Sequence, residues 1–404
     1  MQSDYDAIIV GARCAGASTA MLLARKGHRV LLVDRARFPS EIPHGHFIHR
    51  DGPPRLARWG LLDKIVATGC PPLTSHTTWF GDFPLAARNL ETDGVARGYA
   101  PRRALLDKIL VDAAVDAGAE LREGTAVESL LSDGDRVLGI RPVGSAPITA
   151  RLTIGADGKH SLVAQTVKAP TYEAVPTLTC CYFTYYRDVP DPHVEVYALP
   201  QRRAIFAVAT NNNLLVIFIS WPIDEFAAVR ARLEASFTDA LDLAPGFGER
   251  VRAGRRVERF YGTGDIPNFL RKPFGPGWAL VGDAGCHKDP YLAFGICDAM
   301  RDAELLADAA HEGLSENRPL EAALADYEAR RNEATLPDYY ENLHMAQFCP
   351  VPADVLRLRQ ALRDKPADAT QYVLAKEGRI PREAFFNPQN LARVMASAPD
   401  RVLA

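Results

Sequence analysis

The first 34 residues constrain the fold more than any other stretch. Asp6 to Val10 holds the run Ala7-Ile8-Ile9-Val10, apolar enough for a short strand buried on both faces. Gly11-Ala12-Arg13-Cys14-Ala15-Gly16 follows, and then Ala17, Ala20, Met21, Leu22, Leu23 and Ala24 with helical character. Gly27 stops that helix, as glycine does at C-caps. Arg29-Val30-Leu31-Leu32-Val33 reads as a second strand and ends at Asp34. Strand, glycine turn, helix and strand in about 30 residues form a βαβ unit.

That unit carries its own chemistry. Gly11 permits the tight turn and Gly16 lets the helix approach closely, so free N–H groups at the helix start face a pyrophosphate. Asp34, 23 residues beyond Gly11, is placed to accept hydrogen bonds from a ribose diol. Arg13 stands where the fingerprint G-x-G-x-x-G has its middle glycine, and adds a charge near the phosphates.

Composition narrows the class. At 404 residues the chain has room for two or three domains, or one interleaved unit. It is 47% hydrophobic and 24% charged, which argues against wholesale disorder. With 50 acidic against 47 basic side chains, no basic excess points to nucleic acid or an anionic membrane. No apolar run reaches the ~18 residues of a membrane span. Met1-Gln2-Ser3-Asp4 lacks the basic and apolar regions of a signal peptide. Seven scattered cysteines, none in a C-x-x-C pair, read as reduced thiols of a cytoplasmic protein.

Further along, Gly52 to Val66 reads as a helix, and residues 74–98 as an excursion of β character. Leu105, Leu106, Ile109, Leu110, Ala113 and Ala114 repeat at helical spacing up to Gly118. Residues 126–140 read as a hairpin turning at Asp133-Gly134, and Ile148 to Ile154 as a strand. Strands on either side of Asn211-Asn212-Asn213 form a second hairpin, followed by a helix from Asp224 to Leu241. Trp278 to Val281 is a buried strand, and Cys297 to Ala310 a helix. The last ~70 residues read as helices broken at Pro337, Pro350, Pro352, Pro366 and Pro381.

Two more glycine–aspartate motifs follow strands. One is Gly155-Ala156-Asp157-Gly158-Lys159-His160-Ser161; the other is Gly282-Asp283-Ala284-Gly285, then Pro290 and Gly295-Ile296 at the next helix start. Asp283 at a strand end suits a ribose or ribityl hydroxyl, and N–H groups at Gly295-Ile296 suit a developing anion. Either motif alone is as compatible with an ordinary Asx turn.

In this order the three motifs resemble the FAD-dependent monooxygenase superfamily with the para-hydroxybenzoate hydroxylase fold, which also includes geranylgeranyl reductases and flavin-dependent halogenases. The resemblance implies that Gly11, Arg13, Gly16 and Asp34 hold the ADP half of FAD, with Ala12, Ala15 and Arg35 beside them. It implies that Arg103 contacts the cofactor, that Val127 meets the adenine, that Asp157 lies by the cofactor, and that Asp283, Pro290, Gly295 and Ile296 line the flavin. It implies an α/β fold: a Rossmann-type FAD-binding domain (1–73, 100–170, 275–334) interleaved with a β-sheet substrate domain (74–99, 171–274), plus a helical C-terminal region (335–404).

The chain shows no second βαβ fingerprint, so NAD(P)H is expected as a transient electron donor without its own domain. His44, His46 and His49 lie on the segment that passes the flavin in the family; their spacing fits no common helix-borne metal pair, so no metal is expected, and His46 and His49 are the candidates for tuning the flavin or passing protons. Lys288 is either solvated or offsets charge on a flavin anion. Tyr182, Phe183, Tyr185, Tyr186, Tyr197, Phe206 and Phe218 divide between core packing and an aromatic pocket, which His76, Trp79 and Phe80 are placed to cap. The activity the resemblance implies is an NAD(P)H-dependent monooxygenation of a small, largely apolar or aromatic molecule with molecular oxygen, through a flavin C4a-hydroperoxide. Alternatives are a geranylgeranyl-reductase-like ene-reductase, a halogenase, although Trp221-Pro222-Ile223 matches W-x-W-x-I-P poorly, and a flavin-binding redox protein without turnover.

Overall fold

The computed structural model describes residues 3–80 and 83–396. Met1, Gln2, Gly81, Asp82 and residues 397–404, parts of the segments anticipated above, lie outside them. The chain divides into two compact units, Met1–His46, Arg102–Pro176 and Pro267–Asn342, and Phe47–Pro101, Thr177–Ile266 and Leu343–Ala404. Residues 47–73, anticipated with the cofactor domain, thus cluster with the second unit, and the anticipated C-terminal region is divided after Asn342.

The first unit is built on a parallel sheet with strand order Trp278–Leu280, Ile148–Gly155, Tyr5–Val10, Val30–Asp34, Glu120–Glu123. The register aligns Val10 with Gly155 and Val33, and Gly155 with Leu280, so the three motif-bearing loops leave adjacent strands at one edge. The anticipated first helix, Cys14–Arg25, has ten buried residues because it is packed between Arg103–Asp116 and Gly295–Leu314. A helix apolar nearly all round is stable only when buried in this way. The anticipated D-G hairpin forms from Val127–Asp133 and Arg136–Pro142, with Gly134 at φ +56°.

The second unit is a largely antiparallel sheet in the order Arg255–Arg256, Thr179–Arg187, Leu214–Pro222, Arg203–Thr210, Val194–Leu199, His76–Phe80, Phe83–Ala87. Tyr182, Tyr197, Ile205, Ile217, Ile219 and Trp221 pack from one face against the helical residues Val229, Phe237, Leu241, Phe247 and Val251. The residues expected to cap a pocket are part of this sheet: His76–Phe80 pairs in parallel with Val194–Leu199. Four C-terminal helices, Ala353–Leu362, Pro366–Lys376, Arg382–Phe385 and Pro388–Met395, form a small core around Leu85 with Leu362, Tyr372, Phe385 and Val394.

Three anticipated helices differ. Gly60 at φ +75° divides Gly52–Arg58 from Leu62–Val66. Arg232, at φ −131° and ψ 41°, divides Phe226–Ala231 from Leu233–Asp242. Pro337, expected to break a helix, lies inside Leu320–Ala346. A proline removes one N–H and crowds one carbonyl, which costs about 3 kcal/mol. Around this turn the buried Tyr327, Arg331, Thr335 and Tyr339 hold the helix to the first unit. No helix of the described residues is long and apolar enough to cross a membrane.

One edge of the first unit makes stability depend on pH. His28 Nε2 lies 2.8 Å from His311 Nδ1, with Asp6 3.9 Å from His28 Nδ1. Desolvation first, then His311, Arg151 and Lys26, hold the His28 imidazole below its usual 6.5, against Asp6. The folded state therefore binds the proton less readily than the unfolded chain. The stabilisation is complete above about 6.5 and declines as pH falls. Lowering pH from about 7.5 to about 5.5 is expected to reduce Tm more in the wild type than in His28→Gln. Parallel Tm–pH curves would show that the histidine pair is not responsible.

Candidate functional site

The site is built on three loops held in steric contact. Gly11 has φ +101°, and a Cβ there would overlap the Ala156 carbonyl oxygen. A Cβ at Gly16 would overlap the Gly11 carbonyl and stand 3.1 Å from Ala156 Cβ; one at Gly282, φ +62°, would stand 2.7 Å from Ala15 Cβ. Only glycine fits at these points. The first helix begins at Cys14 with no side-chain cap and no acid in its first turn, which leaves its first N–H groups unsatisfied by the side chains before it. Such a helix start is an anion site. Asp34 Oδ2 accepts from the Ala12 N–H and Oδ1 from the Ala36 N–H, each at 2.7 Å, so the carboxylate shapes its own turn first. Each oxygen keeps a lone pair for a hydroxyl. Ala12 and Ala15 lie in this turn, whereas Arg35 is exposed beside it.

Charge at the helix start is set by a residue the sequence reading missed. Asp107, fully buried, accepts from Arg13 Nη1 at 2.7 Å and from Arg103 Nη2 at 2.9 Å. Arg103–Asp107 is an i,i+4 pair, and that spacing on an anticipated helix was the available signal. One carboxylate serves two guanidiniums, leaving a net positive charge beside the uncapped N–H groups. Cys14 Sγ is 3.4 Å from Asp107; burial first, against Arg103, keeps the thiol protonated, pushed up to about 12. His44 is pushed down to about 4 by the surrounding protein and then by Arg103, Arg13 and Lys159, with Asp283 opposing. The residue is exposed, so the cations are the firmer cause.

The remaining first-unit residues fall around these loops. Asp157 Oδ2 accepts from the Leu162 N–H at 2.7 Å, while its Oδ1 is buried with no hydrogen-bond partner. Asp157 therefore organises its own turn, and burial raises its carboxyl pKa. Asp283 is half-buried in the turn after Trp278–Leu280. Arg331, 1% exposed, props that turn through the Gly285 carbonyl at 3.4 Å. Pro290 opens a short turn pinned by Asn342, which bonds the Asp289 carbonyl and the Leu292 N–H; Gly295 and Ile296 begin the next helix. Val127 begins a hairpin strand. Lys288 is not solvated: its side chain is 6% exposed and pairs with Asp298 at 2.7 Å.

His46 is buried in the first unit, whereas His49 is buried in the second, stacked on Phe47 at 4.6 Å. No group of three or more His, Cys, Asp or Glu among the described residues is placed to hold a metal ion. The anticipated aromatic residues divide by strand alternation. Tyr182, Tyr186 and Tyr197 belong to the helix-covered face, with Trp221 fully buried there. Phe183, Phe206 and Phe218 form a cross-strand row on the other face: Phe206 opposes Phe218 and Phe218 opposes Phe183, with centroids 6.0 and 4.7 Å apart. Tyr185 lies on that face and touches Phe183.

A doubly glycine-braced turn at the ends of parallel strands, an uncapped helix start and a buried cation excess define a dinucleotide-binding flavoprotein fold. Residues 4–335 match the FAD binding domain family, and the chain belongs to it. It is an FAD-dependent oxidoreductase with a Rossmann-type domain interleaved with a β-sheet domain. The digeranylgeranylglycerophospholipid reductase of Methanosarcina acetivorans is 26% identical over 356 residues, covering 83% of this chain and 82% of the reductase. The myxobacterial chondrochloren halogenase CndH superposes with a TM-score of 0.78 at 20% identity over 99% of each chain. PqsL of Pseudomonas aeruginosa, a probable FAD-dependent monooxygenase, superposes with a TM-score of 0.72 at 22% identity, covering 92% of this chain and 99% of PqsL. At these identities the two structures speak for the fold alone.

Truncating Asp107 to alanine strands two guanidiniums, one of them buried. We expect a loss of about 3–5 kcal/mol in denaturant unfolding, largely restored in Arg103→Met/Asp107→Leu. A loss below about 1 kcal/mol would show that the cluster contributes little to the fold.

Proposed function

We propose that this chain is an NAD(P)H-dependent monooxygenase acting on a small, largely apolar or aromatic molecule, with molecular oxygen as co-substrate. The fit of FAD to the first unit supports the cofactor half of that reading. The turn of Gly11, Ala12, Arg13, Ala15 and Gly16 would present helix N–H groups to the pyrophosphate, and the positive charge shared by Arg13 and Arg103 would complement it. Asp34 would hold the ribose, with Arg35 and Val127 on the adenine side. Asp157, Asp283, Pro290, Gly295 and Ile296 would surround the rest. FAD, when bound, supplies the redox chemistry; the protein supplies position, dryness and charge. His46 and His49 remain the residues we assign to proton transfer.

The observation that carries the substrate class is the cross-strand aromatic row. Phe206 and Phe218 are half-buried on the sheet face opposite the helices of residues 226–253, and they join Phe183 and Phe47 in one set of ring contacts of 4.7 to 6.0 Å. Rings at such separations attract a further ring through offset or edge contacts. A second reading, saturation of an isoprenoid alkene, is favoured by the 26% identity to the archaeal reductase.

Isotope labelling separates the two. With FAD-loaded protein, NADPH or NADH and ¹⁸O₂, an aromatic substrate is expected to gain one ¹⁸O atom. Anaerobic reduction of an alkene with deuterium incorporation, and no ¹⁸O product, would replace the monooxygenase reading with the reductase one.

A further inference from the structure

A buried ion pair lies against the residues assigned to the flavin. Lys288 and Asp298 stand 2.7 Å apart, with side chains 6% and 14% exposed. Burial opposes the ammonium charge, but Asp298 raises the Lys288 pKa above its usual value, so it stays charged. Asp298 Oδ1 accepts from Arg301 at 2.8 Å. Arg301 in turn donates to Asp302 at 2.8 Å and to the Thr335 hydroxyl at 2.6 Å. Cations and anions are equal in this chain of contacts, so removing one partner leaves a unit of net charge in the interior.

The pair borders the start of the helix Gly295–Leu314. Gly295, Asp298 and Asp302 recur at i, i+3 and i+7 and share one face of that helix. With Asp283 and Lys288 they line one cavity of about 20 Å³, room for about one water. So little solvent leaves the charges around it weakly screened. Lys288 also reaches the helix start, with Nζ 5.4 Å from the centroid of the Phe294 ring. A Cβ on Gly295 would meet nothing within 4 Å beyond its chain neighbours. Glycine weakens a helix relative to alanine, and no packing among the described residues demands it here; close approach of a ligand does.

We infer that Lys288 and Asp298 set the preference of this protein for reduced over oxidised FAD, Lys288 favouring the reduced form and Asp298 offsetting it. This rests on the FAD placement above, with Asp283 and Gly295 at the flavin, and is independent of the substrate reading. Uptake of two electrons and one proton leaves FAD one unit more negative. A cation at the cavity stabilises that charge, and an anion opposes it; the uncharged oxidised ring responds to neither. The helix start, which has no side-chain cap, acts on the same charge, and Asp298 in its first turn weakens that effect. At an effective dielectric of about 20, a unit charge about 10 Å away changes the stability of an anion about tenfold or more.

The reduction potential of the bound FAD, measured anaerobically by dye equilibration without substrate or NAD(P)H, tests the pair without turnover. In Lys288→Met, Asp298 keeps Arg301 as its partner. This variant is expected to prefer reduced FAD about tenfold less than the wild type, a fall of about 30 mV in the two-electron potential. Asp298→Asn is expected to raise the preference by about the same factor at a pH of about 6.5, where a lysine without its partner stays protonated. Lys288→Arg keeps the charge and should match the wild type, and Lys288→Met/Asp298→Asn should return close to it. A pair that only tied loop to helix would lower Tm in the variants and leave the potential unmoved; that result, or shifts of opposite sign, would overturn the proposal. Asp298→Asn alone decides the matter if Lys288→Met does not hold FAD. Gly295→Val checks the placement separately: the protein has room for the side chain, which should weaken FAD binding about tenfold or more. Unchanged FAD affinity there would refute the placement. Weakened binding there, with unmoved potentials in the Lys288 and Asp298 variants, would refute the charge pair alone.

Discussion

The arrangement depends on backbone approaching backbone where three parallel strands end. Strands in a sheet lie about 4.8 Å apart, and loops leaving neighbouring strands in the same direction have little room between them. Gly11, Gly16 and Gly282 remove the side chains that would fill it. The helix start, the Ala156 turn and the Asp283 turn then stand in one place, and the first helix can be buried on almost its whole surface. A methyl group at any of these glycines would force the loops apart and separate the groups offered to the cofactor.

Electrostatics follows from that packing. Asp107 serves two guanidiniums and Glu377 interacts with two more, so the directly paired groups of each cluster carry more positive than negative charge, with Asp283 and Asp93 the next acids acting on them. The network of Lys288, Arg301, Asp298 and Asp302 has two cations and two anions and so has no such excess. Guanidiniums suit under-compensated sites because they stay charged when buried and bind in a fixed plane. In one unit the excess adjoins unsatisfied N–H groups of a helix. In the other it adjoins the Phe47 ring, over which Arg97 lies.

Much of the cofactor half was legible because its signals are local. A strand, a glycine turn and a helix follow one another within about 30 residues, and each has its own periodicity. The same holds for the Asp133-Gly134 turn and the Asn211-Asn213 hairpin, where short-range backbone preferences decide. Local signals failed where packing outweighed them. Pro337 reads as a helix breaker, yet buried side chains on both sides keep Leu320–Ala346 continuous. Lys288 reads as either a solvated charge or one that offsets a flavin anion, and only the fold brings Asp298 to it.

The sequence by itself determined the class of fold, the cofactor and the glycines that admit it, because these rest on neighbours along the chain. It also placed aromatic residues on strands, but not which face each would take. Tertiary structure decided that Phe183, Phe206 and Phe218 form one row, since strand register across a sheet is set by pairings between distant segments. It also decided that Arg97 meets Glu377, 280 residues away, and keeps one N–H unpaired. Whether a buried charge is balanced depends on which groups folding brings together, and no local pattern in the chain encodes that.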